Sequence, residues 1–203
     1  MDNILVNIPE VANYSLPDPS LLNLYKDRKE RIIWLDDEIN DFSLDIIKFI
    51  THCNIEDRKK KVEKRVPIKL LIFSPGGDLD VNNAIINAIE ASKTPIYGIN
   101  MGRCCSAAAY IFLACHKRYM MKDAYFLYHT GSGQLCGTYE QVFAQMEEYK
   151  IKIENLIGYM KSHTKFTEEE IMDKIGGEWY IYNKEAIEKG VAHKVINSLD
   201  EIF

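Results

Sequence analysis

The chain has 203 residues, of which 47% are hydrophobic and 27% are charged, and these values are typical of a globular domain. Its net charge of -5 gives no electrostatic reason to expect nucleic acid or an anionic membrane surface as a partner. The longest apolar run, from Ser106 to Cys115, is about half of what spans a bilayer. Asp2 stands where a signal peptide carries positive charge, so we expect a cytoplasmic protein without a membrane segment.

The sequence indicates one α/β domain behind an N-terminal arm. Residues 1–19 lack periodicity and end in Leu16–Pro19, which predicts a flexible arm. The predicted strands are apolar and rich in β-branched residues: Arg31–Leu35, Ile68–Phe73, Ile96–Ile99, Ala124–Tyr128 and Val191–Ile196. Between them, helical periodicity covers 42–50, 81–89, 106–115, 138–163, 167–176 and 183–190. Strands alternating with helices favour a largely parallel sheet within a single domain, 20–203. The basic run Asp57–Arg65 is interpreted as a solvated loop.

The five cysteines do not indicate a disulfide framework or a metal site. An odd count without regular spacing is atypical of secreted disulfide-rich domains. Cys104 and Cys105 are adjacent, which suits neither a zinc site nor a CxxC redox pair. We interpret the cysteines as structural thiols in a reducing compartment and expect no metal or organic cofactor.

Two glycine-containing turns follow predicted strands. In Ser74–Gly77, two glycines allow a sharp turn whose N–H groups could face an oxyanion, although a plain tight turn has the same pattern. In Gly102–Ala109, Ser106 begins a helix rich in small residues, where helix N–H groups favour developing negative charge. A helix N-cap serine is the simpler interpretation of Ser106 alone, and the segment is not the GxSxG elbow of α/β hydrolases.

The third candidate is His129, which ends the predicted strand Ala124–Tyr128. Active sites gather at the carboxyl edge of α/β sheets, so a histidine at this position could act as a base. A hydrogen-bonded structural histidine is the simpler alternative. The other four histidines lie in helical or loop contexts and give no comparable signal.

Taken together, these motifs resemble those of the ATP-dependent Clp protease proteolytic subunit family, in order and approximate spacing, from about Asp18 onward. The resemblance implies a fold of repeated β-β-α units, shared with the crotonases, and a projecting handle at about 131–163. It implies that Ser106 is the nucleophile and His129 the general base. Gly77 and Ala107 match the oxyanion-hole donors. Glu178 aligns with the third triad member, usually aspartate in the family, and Asp173 is the reserve candidate.

The same resemblance implies assembly and partners. The family forms heptameric rings, and two rings stack through the handle helix and enclose sites that cleave unfolded proteins or peptides. The apolar residues of the predicted helix 138–163 fit such a handle, although a helix packed on its own domain is the alternative. An AAA+ unfoldase is the family's partner. Lys69 and Leu71 replace aromatic residues that receive unfoldase loops, while Tyr119 is retained, so docking of an unfoldase is left open.

Two other functions remain open from the sequence. The first is a catalytically silent subunit that serves only in assembly; such chains typically lack the serine or the histidine, and both are present here. The second is an acyl-CoA enzyme of the crotonase class, which relies on carboxylates and backbone donors. The leading hypothesis is a serine endopeptidase that acts through an acyl-enzyme inside a ring-shaped homo-oligomer.

Overall fold

A computed structural model describes residues 21–203, so the predicted arm, residues 1–19, lies outside the described residues. The strands are β1 (Ile32–Leu35), β2 (Ile68–Ser74), β3 (Ile96–Cys105), β4 (Lys117–Met121), β5 (Tyr125–Tyr128), β6 (Trp179–Tyr182) and β7 (Lys194–Ile196). The helices are α1 (Leu22–Lys29), α2 (Asp45–Asp57), α3 (Leu79–Ala91), α4 (Ala107–Ala114), α5 (Tyr139–His163), α6 (Glu168–Lys174) and α7 (Asn183–Glu188). Single 3-10 turns cover Asp41–Leu44, Val62–Lys64 and Leu199–Glu201.

The strands form one sheet that divides at β3. Its main path runs β1-β2-β3-β4-β7, and every neighbouring pair on this path is parallel. The first half of β3 pairs with β4 through Tyr97–Asn100, whereas its last residues, Arg103–Cys105, pair with β5. Strand β6 then adds to β5 in the antiparallel direction. The predicted α/β class with a largely parallel sheet is therefore confirmed.

Three elements were absent from the sequence prediction. Strand β4 contains charged and flexible residues, and it owes its conformation to pairing with β3 and β7 rather than to propensity. Strand β6 consists of aromatic and β-branched residues that favour a strand, but the sequence prediction omitted it. Helix α1 buries no residue, so it lacks the apolar stripe by which a helix is recognised.

The main core lies between the sheet and helices α2, α3 and α4. Helix α4 is buried along almost its whole length, which explains why its residues are small or apolar on every face. A smaller cluster of Leu71, Ile99 and Ile196 covers the opposite face of the sheet. None of the helices within residues 21–203 is long and apolar enough to cross a membrane.

Helix α5 is 25 residues long, and its two halves differ in environment. It begins at a capping box, in which the Thr138 and Gln141 side chains each bond the other residue's backbone N–H. In the C-terminal half, Leu156 and Met160 are buried against the domain. In the N-terminal half, large apolar side chains are exposed: Tyr139, Phe143, Met146 and Ile151. This half of the helix leaves an apolar surface that none of residues 21–203 covers.

A buried ion pair fixes the end of α2 and corrects one interpretation from the sequence. Asp57, the first residue of the basic run, is fully buried rather than solvated. Its carboxylate pairs with Arg31 and Lys60 and accepts a hydrogen bond from the Thr94 hydroxyl. The hydrogen bond from Arg31 holds the pKa of Asp57 well below its usual range. The rest of the run is largely exposed, as expected of a loop.

Removing this charge should destabilise the fold. In Asp57→Asn, Arg31 loses its buried partner, and we expect the free energy of unfolding to fall by about 3 kcal/mol. Glu56→Gln is the matched control, because the neighbouring Glu56 is exposed and its ion pair with Arg31 spans 3.3 Å; a change below about 1 kcal/mol is expected. Urea unfolding followed by circular dichroism measures both. Equal losses in the two variants would contradict a special role for Asp57.

Candidate active site

Ser106 lies at the junction between β3 and α4, in a backbone conformation that few residues adopt. Its φ of 52° and ψ of -128° lie in a region that costs a non-glycine residue about 1–3 kcal/mol. The backbone N–H of Ser106 donates to the carbonyl of Leu127 on β5, at 2.7 Å. This bond continues the β3–β5 pairing and holds the residue at the point where the strand becomes a helix.

His129 follows the last residue of β5, and its side chain reaches Ser106. The distance from His129 Nε2 to Ser106 Oγ is 2.8 Å, which is a hydrogen bond. The backbone N–H of the next residue, Thr130, donates to the carbonyl of Ile175 at 3.0 Å and fixes the chain beyond the strand. When His129 is neutral with its proton on Nδ1, Nε2 accepts a hydrogen bond from the Ser106 hydroxyl. This arrangement can activate the hydroxyl as a nucleophile.

The turn after β2 lies against Ser106 and requires glycine. Gly76 has a φ of +97°, and a Cβ there would lie 2.7 Å from the Ser106 Cβ. Gly77 has a φ of +148°, and a Cβ there would collide with the backbone of Ile39. Ile39 donates to the Gly76 carbonyl at 2.8 Å and accepts from Asp78 at 2.9 Å. The turn is therefore pinned on one side by Ile39 and packed against the serine on the other.

Two backbone N–H groups near Ser106 are free. Within residues 21–203, neither Gly77 nor Ala107 donates its backbone N–H to another protein group. Ala107 is the first residue of α4, where the helix leaves N–H groups without an intrahelical acceptor. Free donors at this position can stabilise an oxyanion formed by attack of Ser106 on a carbonyl.

The two candidate acids, Asp173 and Glu178, flank Ile175 in the sequence. The carbonyl of Ile175 accepts the hydrogen bond from the Thr130 N–H. The antiparallel β5–β6 pairing ends at Tyr128 and Trp179, so His129 directly follows β5 and Glu178 directly precedes β6, at the same end of the pair. The carboxylate of Glu178 is exposed and accepts a hydrogen bond from the Tyr180 hydroxyl at 2.8 Å. Asp173 is exposed on α6. Among the described residues, no carboxylate forms a hydrogen bond with His129.

A cavity of about 290 Å³ opens beside Ser106 and His129. One wall is the glycine turn, with Pro75 and Gly77, and the other is helix α5, with Tyr149, Ile153 and Leu156. The Tyr149 hydroxyl donates to the carbonyl of Thr130 at 2.9 Å, which ties α5 to the residue that follows His129. The serine, the histidine and the free N–H groups therefore face a space that could hold an extended peptide.

The thiols beside Ser106 are not competing nucleophiles. Burial raises the pKa of Cys104 well above its usual value, and it also raises the pKa of Cys105. Both thiols therefore stay protonated near neutral pH, where the thiolate would be the reactive form. All five cysteines are free, and four are buried; Cys136, before α5, is exposed.

Three contacts that build the site could not be read from the sequence. Ile39 bridges to Gly77, Leu127 holds the Ser106 backbone, and Tyr149 reaches Thr130. The two residues of each contact are 19 to 38 positions apart in the sequence. No local motif around either residue indicates the contact. Within the described part of the chain, no group of three or more His, Cys, Asp or Glu side chains is arranged to hold a metal ion.

Known structures share this fold. A mutant of ClpP1 from Listeria monocytogenes superposes with a TM-score of 0.75, and the match covers 88% of this chain and 98% of that chain at 20% identity. At this identity, the likeness concerns the fold alone.

Curated sequences define the family more closely. An ATP-dependent Clp protease proteolytic subunit 2 from Treponema denticola is 30% identical over 67% of this chain and 69% of that relative. A subunit with the same description from Bifidobacterium longum is 28% identical over 100% of this chain and 97% of that relative. The Clp protease family itself matches residues 20–199. The chain therefore belongs to the Clp protease family, as the motifs predicted.

Proposed function

We propose that the chain is a serine endopeptidase that cleaves unfolded proteins or peptides. The observation that carries the proposal is the 2.8 Å hydrogen bond between His129 Nε2 and Ser106 Oγ, beside two free backbone N–H groups. Membership of the Clp protease family supports the same reaction class. A silent assembly subunit or an acyl-CoA enzyme would not need a serine–histidine pair beside free oxyanion donors.

The proposed mechanism is acyl transfer. His129 accepts the Ser106 proton while Ser106 Oγ attacks the peptide carbonyl, and the N–H groups of Gly77 and Ala107 stabilise the oxyanion. His129 then protonates the leaving amine as the C–N bond breaks, which leaves an acyl-enzyme. Water, deprotonated by His129, attacks the ester, and collapse of the second tetrahedral intermediate returns the proton to Ser106.

Glu178 is the proposed third member of the triad. The β5–β6 pairing supports this assignment, because Glu178 directly precedes β6 and His129 directly follows β5, at the same end of the pair. To orient the imidazole, the carboxylate would leave the Tyr180 hydroxyl and accept a hydrogen bond from His129 Nδ1–H. A glutamate can perform this task as well as an aspartate.

We further propose that the chain works in a ring-shaped homo-oligomer of two stacked heptamers. The exposed apolar residues of the N-terminal half of α5 support this assembly, because such a surface favours burial against another subunit. Residues 131–163 would form the handle. The four buried free thiols are consistent with a reducing, cytoplasmic location.

The proposed substrates do not require an AAA+ unfoldase. Leu71 is buried with Ile99 and Ile196 on the face of the sheet opposite the main core. Lys69 lies over the ring of Phe203, with its ammonium 4.5 Å from the ring centroid. Neither residue offers the exposed aromatic side chain that receives an unfoldase loop in the family. We therefore favour unfolded chains and short peptides as substrates over folded proteins delivered by an AAA+ partner.

Active-site labelling tests the serine–histidine pair without a choice of substrate. A fluorophosphonate should add once to the wild-type chain, and intact-mass spectrometry should find no adduct in Ser106→Ala and a strongly slowed reaction in His129→Ala. Ser132→Ala is the matched control, because Ser132 lines the same cavity and should not affect labelling. An adduct that persists in Ser106→Ala would contradict the assignment. Absence of any adduct on the assembled wild-type protein would favour a silent subunit.

The third triad member is tested by neutralising each candidate acid. Glu178→Gln should lower kcat/KM for an unstructured peptide by about 100-fold or more, because the imidazole loses its orienting acceptor. Asp173→Asn should leave turnover unchanged, since Asp173 lies on α6 away from the β5–β6 register. The reverse result would move the role to Asp173. Full activity in both variants would mean that the pair works without an acid.

Light scattering tests the handle. Phe143→Lys should convert a two-ring particle into smaller species, because it places a charge on the exposed apolar surface of α5. Ile55→Lys is the matched control: Ile55 is equally exposed, at 52% against 51% for Phe143, but lies on α2. A wild-type chain that is monomeric at micromolar concentration would contradict the assembly.

A further inference from the structure

The cavity beside Ser106 combines an apolar wall with a single carboxylate. Leu79, Ile153 and Leu156 supply the apolar surface. Glu38 lies at the cavity on the side of the glycine turn. Among the described residues that line this cavity, Glu38 is the only carboxylate, and none is a lysine or an arginine. Such a space suits a side chain with a long apolar stem and a positive end.

The backbone around Glu38 is fixed relative to the nucleophile. The next residue, Ile39, bonds the glycine turn on both sides, at 2.8 Å and 2.9 Å. The Glu38 N–H donates to the Asp37 carboxylate at 2.7 Å, and its carbonyl accepts from the Asn40 side chain at 3.0 Å. The segment that carries Glu38 is therefore tied to the same turn that packs against Ser106.

The Glu38 carboxylate has no cationic partner within residues 21–203. Lys152 precedes the cavity residue Ile153 on α5, but its ammonium already pairs with Asp80 and Glu148, each at 2.7 Å. The hydroxyl of Tyr110 also lacks a hydrogen-bond partner among the described residues, and Tyr110 is almost fully buried in the cavity wall. The lining of the cavity thus includes one carboxylate and one hydroxyl without a partner among the described residues, and no lysine or arginine.

We propose that Glu38 is a specificity-determining residue that selects peptides with a lysine or arginine side chain next to the scissile bond. This proposal rests on the proposed peptidase function. The methylene stem packs on the apolar wall, and the ammonium or guanidinium pairs with Glu38 at the cavity mouth. Aspartate and glutamate in the same position are repelled by Glu38. The preference is therefore set by charge as well as by the volume of the cavity.

Matched peptides test the preference by turnover. For peptides that differ only in lysine or norleucine at one position flanking the cleaved bond, wild type should favour lysine. Glu38→Gln should reduce this ratio of kcat/KM about fivefold, the size expected for loss of one exposed ion pair. Asp36→Asn is the matched control, because it removes an equal charge two residues away that does not line the cavity. Added salt should weaken the wild-type preference.

Binding separates failure of this inference from failure of the proposed function. In the Ser106→Ala background, fluorescence anisotropy should show tighter binding of the lysine peptide than of the norleucine peptide, and Glu38→Gln should remove the difference. Equal binding of both peptides with Glu38 intact, or an unchanged lysine preference in Glu38→Gln, overturns the inference. An inactive wild type that still binds lysine through Glu38 would overturn the peptidase proposal alone.

Discussion

The candidate site depends on the change of partner along β3. This strand pairs with β4 through Tyr97–Asn100 and with β5 through Arg103–Cys105. On one edge β3 exchanges β4 for β5, while on the other edge Cys104 still pairs with Ser74 of β2. This exchange brings Ser106 beside His129, which follows β5. The serine and the histidine are 23 residues apart, yet one backbone pairing sets the distance between them.

The strained conformation of Ser106 is supported from several sides. Leu127 binds its N–H, Gly76 packs against its Cβ, and the helix that follows is buried in the core. A residue at positive φ persists only when its surroundings determine it more strongly than its own preference. The surrounding pairings can supply this support because they are backbone contacts, which do not depend on side-chain rotamers. Rigidity at this point keeps the hydroxyl directed at the imidazole.

Much of the fold could be predicted because its elements carry their own signals. Strands β1, β2, β3 and β5 are apolar runs, and the capping boxes at Thr138 and Thr167 mark where α5 and α6 begin. Strand β4 carries no such signal, because its pairing partners determine it, whereas the aromatic and β-branched run of β6 was overlooked. Ser106 and His129 were accessible through the order of the motifs. The Ile39–Gly77 bridge and the position of Glu38 depend on tertiary contacts, so no reading of local sequence could find them.

The distribution of thiols has a practical consequence. Four cysteines lie in the interior, while Cys136 is exposed immediately before the first turn of α5. A maleimide dye or a spin label should therefore attach at this one position in the native protein, without any engineered cysteine. The label would report on the N-terminus of α5, close to the apolar surface that Tyr139 and Phe143 expose. The native Cys136 thus offers a labelling site for spectroscopy in the region where subunits would meet.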